Sequence, residues 1–152
     1  MTLPQFARAR LFDPLGISRF EWATGADGVA SAASGLRLTP GDLARVGGLV
    51  LARGEWDGVA LVSRRWLETA LAPHLRIDDG LEYGYQWYLG GYPRAGGGTM
   101  RAYGAMGNGG QRLYVIPDLE LVVAIAAGNY DAGAASSATP DTVMTAVLAA
   151  LT

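Results

Sequence analysis

Three consecutive stretches decide the fold class: Gln111-Arg112-Leu113-Tyr114-Val115-Ile116, then Pro117-Asp118-Leu119-Glu120, then Leu121-Val122-Val123-Ala124-Ile125-Ala126-Ala127. The first and third are rich in β-branched, aromatic and aliphatic residues, the composition of strands. The four residues between them include a proline and an aspartate, which favour a chain reversal, so the two runs are expected to pair as an antiparallel hairpin. Residues 121–125 are apolar at every position rather than at alternate ones. A strand of that kind is buried on both faces, so helices are expected on both sides of the sheet.

Outward from this hairpin, Thr99 to Met106 reads as a further strand. Tyr83-Gly84-Tyr85-Gln86-Trp87-Tyr88-Leu89 is aromatic-rich and alternating, which predicts another. Gly90-Gly91-Tyr92-Pro93 and Gly96-Gly97-Gly98 read as a hairpin connection. On the C-terminal side, Thr139-Pro140-Asp141 opens a last helix, with Val143, Met144, Val147, Leu148 and Leu151 as its buried stripe. Towards the N-terminus the period becomes helical. Thr2 caps a helix over Gln5 to Leu11, stopped by Asp13-Pro14-Leu15-Gly16. Thr39 caps a second helix, with Pro40 in its first turn, Asp42 near its positive end and apolar residues at 43, 46, 50 and 51. Gly54 ends it. A turn at Glu55-Trp56-Asp57-Gly58 leads to a third helix over Ser63 to Ala72, stopped by Pro73. Residues 21–38 read as loop. This order predicts an α+β fold, an antiparallel sheet with flanking helices. We expect one domain over 1–152, helical over 1–75, with strands and a C-terminal helix over 80–152.

Composition narrows the chemistry. The 152 residues are half apolar and 17% charged, which suits one domain with a real core. Fourteen acidic and twelve basic residues are scattered without blocks, so no nucleic-acid partner is expected. No apolar run reaches the length of a membrane span, and no membrane partner is expected. The first twenty residues lack the layout of a secretory signal, and localisation stays open. Cysteine is absent, which removes disulfides and thiolate nucleophiles. All twelve basic residues are arginine, and His74 is the single histidine. A lysine base, a Schiff base and a two-histidine metal site are therefore excluded, and no metal or cofactor is expected.

His74 follows Pro73 at a helix end, where it reads as a partner of the helix dipole. No G-x-S-x-G elbow accompanies it. Of the six serines, Ser63 reads as an N-cap, and none has a lysine three residues on. Asp78, Asp79 and Glu82 flank a glycine and read as a solvated turn, since their spacing fits no calcium loop. Tyr85 and Trp87, within the aromatic stretch, either line a pocket or pack into the core. Gly104-Ala105-Met106-Gly107-Asn108-Gly109-Gly110-Gln111 holds four glycines ahead of a strand. Such a segment can aim backbone N–H groups at a ligand such as a carbonyl oxyanion, or it can simply be a tight strand start.

Together these segments resemble a family. Phe12-Asp13-Pro14-Leu15-Gly16, Ser34-Gly35-Leu36 and Thr39-Pro40-Gly41-Asp42-Leu43-Ala44-Arg45 are similar to the region that follows the nucleophile motifs in serine β-lactamase-like hydrolases. These comprise class C β-lactamases, penicillin-binding-protein-like esterases and peptidases, and the 6-aminohexanoate-dimer hydrolase type. The likeness continues through Gly54-Glu55-Trp56-Asp57-Gly58, Tyr83-Gly84-Tyr85-Gln86-Trp87 and Gly107-Asn108-Gly109-Gly110-Gln111 to Tyr114-Val115-Ile116-Pro117-Asp118-Leu119, nearly the whole chain.

The resemblance implies a β-lactamase/transpeptidase-like fold and hydrolysis of an amide, ester or lactam through an acyl-serine. That family uses a Ser-x-x-Lys helix, a Tyr-x-Asn loop and a Lys/His-Thr/x-Gly strand, with an oxyanion N–H just beyond the third motif. Asn108-Gly109-Gly110 looks like the third motif with Asn in first place, and Gln111 would then offer the oxyanion N–H. Counting back from the hairpin puts the motif nearer Ala102-Tyr103-Gly104. The first two motifs have no counterpart, so the resemblance implies the C-terminal part of a longer protein with no catalytic residue of its own. Three expectations follow: no turnover by this chain alone, Asn108 to Gln111 lining a concavity with a small acyl substrate as partner, and either self-association or a missing N-terminal part covering the edge at 121–127. The reading from another class is a non-catalytic binding or assembly module of the same fold.

Overall fold

Capping residues set where the helices begin. In the computed structural model, which describes residues 1–94, 96–133 and 138–151, Thr2 and Gln5 form a reciprocal capping box at the start of α1 (Leu3–Ala7). The chain continues as a π-helical turn over Arg8–Phe12 and buries Phe12. β1 (Glu21–Trp22) pairs antiparallel with β2 (Leu36–Arg37), so residues 21–38, expected as loop, hold a small two-stranded sheet. The signal was weak because each strand has two residues. Thr39 caps α2 (Pro40–Leu51), its hydroxyl accepting from the Asp42 N–H at 3.1 Å and donating to the Asp42 carboxylate at 2.7 Å. β3 (Glu55–Trp56) and β4 (Val59–Ala60) form a hairpin around Asp57-Gly58. Ser63 caps α3 (Arg64–Ala70), accepting from the Trp66 N–H at 3.2 Å.

The rest is one antiparallel meander. β5 (Leu75–Asp78), β6 (Leu81–Tyr83), β7 (Tyr88–Pro93), β8 (Thr99–Gly107), β9 (Gln111–Ile116) and β10 (Leu121–Ile125) lie in the order β10-β9-β8-β7-β6-β5. The deciding hairpin forms as expected: Leu121 faces Ile116 and Ile125 faces Arg112, around a 3₁₀ turn at Pro117–Leu119. α4 (Ala138–Ala150) closes the chain.

The all-apolar strand meets a helix on each face. Tyr114 and Ile116 of β9, with Leu121, Val123 and Ile125 of β10, pack around Met144 of α4. Val115 and Val122 turn the other way, towards Val50 of α2 and Leu67 of α3. On that face α2 comes so close at Gly47 that a Cβ there would lie 2.6 Å from Val122 Cγ1 and 2.9 Å from Leu113 Cδ1. The fold is α+β, an antiparallel sheet flanked by helices, consistent with a partial β-lactamase/transpeptidase-like architecture. Among the described residues no helix is long and apolar enough to cross a membrane.

Several element boundaries differ from the sequence reading. The alternation at 83–89 is two strands and a turn: β6 ends at Tyr83 and β7 begins at Tyr88, with Gln86 in the left-handed region at φ +64°. The turn is held against the end of α3, where the Tyr85 N–H donates to the Ala70 carbonyl at 2.8 Å. Only glycine fits beside that contact, because a Cβ on Gly84 would stand 2.1 Å from the same carbonyl. Gly90 to Pro93 belong to β7, opposite Thr99 to Ala102, rather than to a loop. Residues 75–83, where only a solvated turn at Asp78, Asp79 and Glu82 was expected ahead of a strand from Tyr83, form the β5–β6 hairpin. Leu151 is exposed, outside the buried stripe of the last helix.

Candidate functional site

β8 is longer than its neighbour. β9 pairs with it from Tyr103 to Gly107, whereas β7 stops at Tyr88, opposite Gly104. Ala105, Met106 and Gly107 thus have a strand on one side only, and Met106 is partly exposed there. Asn108-Gly109-Gly110 then turns the chain into β9. Gly109 and Gly110 sit at φ +80° and +86°, which accounts for the glycines in the turn.

The structure brings the four candidate wall residues together beneath one strap. Asn108 is exposed, and its amide donates to the Asp131 carboxylate at 3.4 Å. Gly109 and Gly110 are buried. The Tyr130 ring lies over Gly109, where a Cβ would come within 2.7 Å of the ring carbons. The Gly109 carbonyl accepts from the Asn129 N–H at 3.0 Å. The half-buried Gln111 donates its side-chain amide to the Ala127 carbonyl and, at 3.4 Å, to the Tyr130 hydroxyl.

Sequence reasoning missed two members of this arrangement. Arg112 is buried, and its guanidinium donates to the carbonyls of Gly107 and Gln111 at 3.1 and 2.9 Å, pinning both ends of the turn. Its signal was a charge directly before the run Leu113-Tyr114-Val115-Ile116, since buried charges must be hydrogen-bonded. Tyr130, the second, had no pattern around it.

The other candidates lie elsewhere. Tyr85 is half-exposed and stacks on His74 with ring centroids 4.2 Å apart. Trp87 packs with Val50, Leu67 and Val115, so the structure gives it the core position that the aromatic stretch left open. His74 Nε2 lies 2.8 Å from the Thr69 carbonyl in the last turn of α3, a helix-end contact. Asp79 pairs with Arg76 at the β5–β6 turn. No group of three or more His, Cys, Asp or Glu among the described residues is placed to hold a metal ion. On the α4 face, burial pushes the Tyr92 hydroxyl well above the ordinary tyrosine range, and its hydrogen bond with Tyr114 adds to that.

The sequence model of the family described as Beta-lactamase matches residues 1–144. The chain belongs to the beta-lactamase family. Within this β-lactamase-like serine hydrolase superfamily, two solved structures have its fold. One, described as a 6-aminohexanoate-dimer hydrolase from Bacillus anthracis, superposes with a TM-score of 0.73 at 24% identity, over 85% of this chain and 33% of that one. The other, a penicillin binding protein from Bacillus halodurans, gives a TM-score of 0.62 at 15% identity, over 92% of this chain and 49% of that one. This beta-lactamase family chain therefore spans a third and about half the length of those two proteins. No curated protein matches it.

Proposed function

We propose that this chain forms one wall of an acyl-transfer site and does not turn over substrate alone. The parent activity would be hydrolysis of an amide, ester or lactam through an acyl-serine, as in class C β-lactamases, esterases or the 6-aminohexanoate-dimer hydrolase type. The observation that carries this reading is the unopposed edge of β8 at Ala105–Gly107, running directly into the turn Asn108-Gly109-Gly110-Gln111. An extended edge beside a glycine turn offers backbone N–H groups to a carbonyl oxygen. The family's third motif lies on a strand, and Ala102-Tyr103-Gly104 is on β8 whereas Asn108 to Gly110 form a turn. That supports the register counted back from the hairpin, with the turn as the adjoining wall.

A serine nucleophile needs a base within hydrogen-bond reach. With no lysine in 152 residues, the Ser-x-x-Lys pair cannot form within this chain. Incubation with a chromogenic lactam and with a nitrophenyl ester should give rates equal to those of a heat-treated control. Sustained turnover that follows the purified chain through a second column would overturn the proposal.

The outer edge of β10 supports an assembly role alongside this one. Leu121 to Ile125 pair with β9 on one side and, among the described residues, with no strand on the other. Such an edge templates pairing, either with a second copy or with an N-terminal part carrying the first two motifs. Sedimentation at micromolar concentration should show a dimer, and a clean monomer would remove self-association.

A further inference from the structure

On the α2–α3 side of the sheet, away from the β8 edge and its turn, a groove of about 410 Å³ runs between the two helices and β8. That is within the range of small-molecule sites, about 300–1,000 Å³. Leu51 of α2, Leu67 of α3 and Leu71 at its C-terminal cap supply apolar walls, and Tyr103 of β8 lines the sheet side. Leu71, Arg101 and Tyr103 also line an adjoining cavity of about 420 Å³ towards β5 and β6, which is more polar, with Asp78 and Glu82 in its wall. The apolar part is therefore the stretch along Leu51, Leu67 and Leu71.

Within the groove arginines outnumber carboxylates, three to the single Glu68. Arg53 and Arg101 both line the groove, and neither guanidinium has an ion-pair or hydrogen-bond partner among the described residues. Arg64, the third arginine there, is matched by Glu68 at 3.0 Å. Two guanidinium groups without an ion-pair partner thus border the apolar wall of this groove, in a chain whose net charge is −2. Arg53 has a second distinction. It follows the C-cap of α2 in the left-handed region at φ +57°, a place usually filled by glycine. A non-glycine residue there costs about 1 kcal/mol, and such strain is typically kept where a side chain clamps a ligand.

We propose that this groove binds an organic carboxylate with a straight apolar tail, such as a medium-chain fatty acid. The tail lies along Leu51, Leu67 and Leu71, and the carboxylate meets Arg53 and Arg101. Guanidinium forks match a carboxylate in geometry and charge, whereas an alcohol or an ammonium of the same tail lacks that match.

Calorimetric titration of the whole chain with decanoate, decanol and decylammonium tests this. Decanoate should bind, with the other two at least about tenfold weaker, as expected for the loss of a charge-assisted hydrogen bond. Arg101→Gln and Arg53→Gln should each weaken decanoate by about fivefold or more on the same grounds. Arg37→Gln, which removes an exposed pairing between β2 and Glu21 of β1, should leave binding unchanged. Unaltered circular dichroism would show that the variants fold. Absence of decanoate binding, equal binding of the three probes, or unchanged affinity in both groove variants would each overturn the proposal.

Discussion

The two edges of the six-stranded sheet differ in kind. β5 is exposed at all four residues, carries Arg76 and Asp78, and loses register with β6 between them. β10 is apolar at all five, half-buried throughout, and keeps continuous register with β9. Helices cover β10 on both faces. Irregularity and charge protect an edge from pairing, and β5 has both, whereas β10 has neither. The comparison teaches that this chain invests its packing at one side of the sheet and leaves the other to polar side chains. It also explains why the edge that is better packed on its faces is the one able to accept another strand.

The largest effect is expected at the closed side. Gly47→Leu would push a side chain into Val122 and Leu113, the first atom already closer than contact distance to both. Leu113 is buried, so it cannot swing into solvent. Overpacking of a fitted core typically costs 1–3 kcal/mol, and here helix and sheet must separate, so a loss of about 3 kcal/mol or more is expected. A urea titration followed by circular dichroism measures it. An unchanged midpoint would mean that α2 is not clamped on β9 and β10, and the contrast between the edges would fail.

Much of this closed side was legible in the sequence. An unbroken apolar run at 121–125 demands cover on two faces, and α2 and α4 provide it. Thr2, Thr39 and Ser63 marked helix starts because a hydroxyl there has a specific backbone partner three residues on. The open side was less legible. Two-residue strands lack a period, and alternation through 83–89 persists across a turn because the aromatic residues serve two different surfaces: Tyr85 faces His74, and Trp87 faces the core. At the candidate site the glycines announced a special backbone, but the strap over them did not show. Tyr130 reaches Gly109 only through tertiary folding, and no local pattern encodes that approach.

A second prediction concerns the boundary between the two sides. Tyr92 of β7 meets Tyr114 of β9 edge-on, with centroids 6.1 Å apart, where α4 gives way to the open strands. Burial, and then Tyr114, raise its hydroxyl above the usual value near 10. The sign follows from proton binding. The unfolded chain releases this proton first as pH rises, so stability is intact below about pH 10 and declines above it until the folded tyrosine also ionises. Tyr92→Phe should therefore flatten the alkaline decline. At neutral pH it loses one hydrogen bond, about 1 kcal/mol. Melting temperatures of both proteins from pH 8 to 11 decide this, and parallel curves would place Tyr92 on the open side of the comparison.

The smallest effect is expected at the open edge itself. Leu75 on β5 is 62% exposed, and its strand neighbours are exposed too. Replacing it with serine removes little buried apolar area, while its backbone pairing opposite Tyr83 is unaffected by the side chain. Surface changes of this sort stay within about 0.5 kcal/mol. Leu75→Ser should therefore leave the urea midpoint almost where it was. Serine is also less suited to a strand than leucine, so any small loss would come from propensity, not from a broken contact. A loss of about 2 kcal/mol, the scale of a buried leucine, would show that Leu75 is covered in solution. The sheet would then have two closed edges, and β5 as well as β10 would be a surface on which another chain packs.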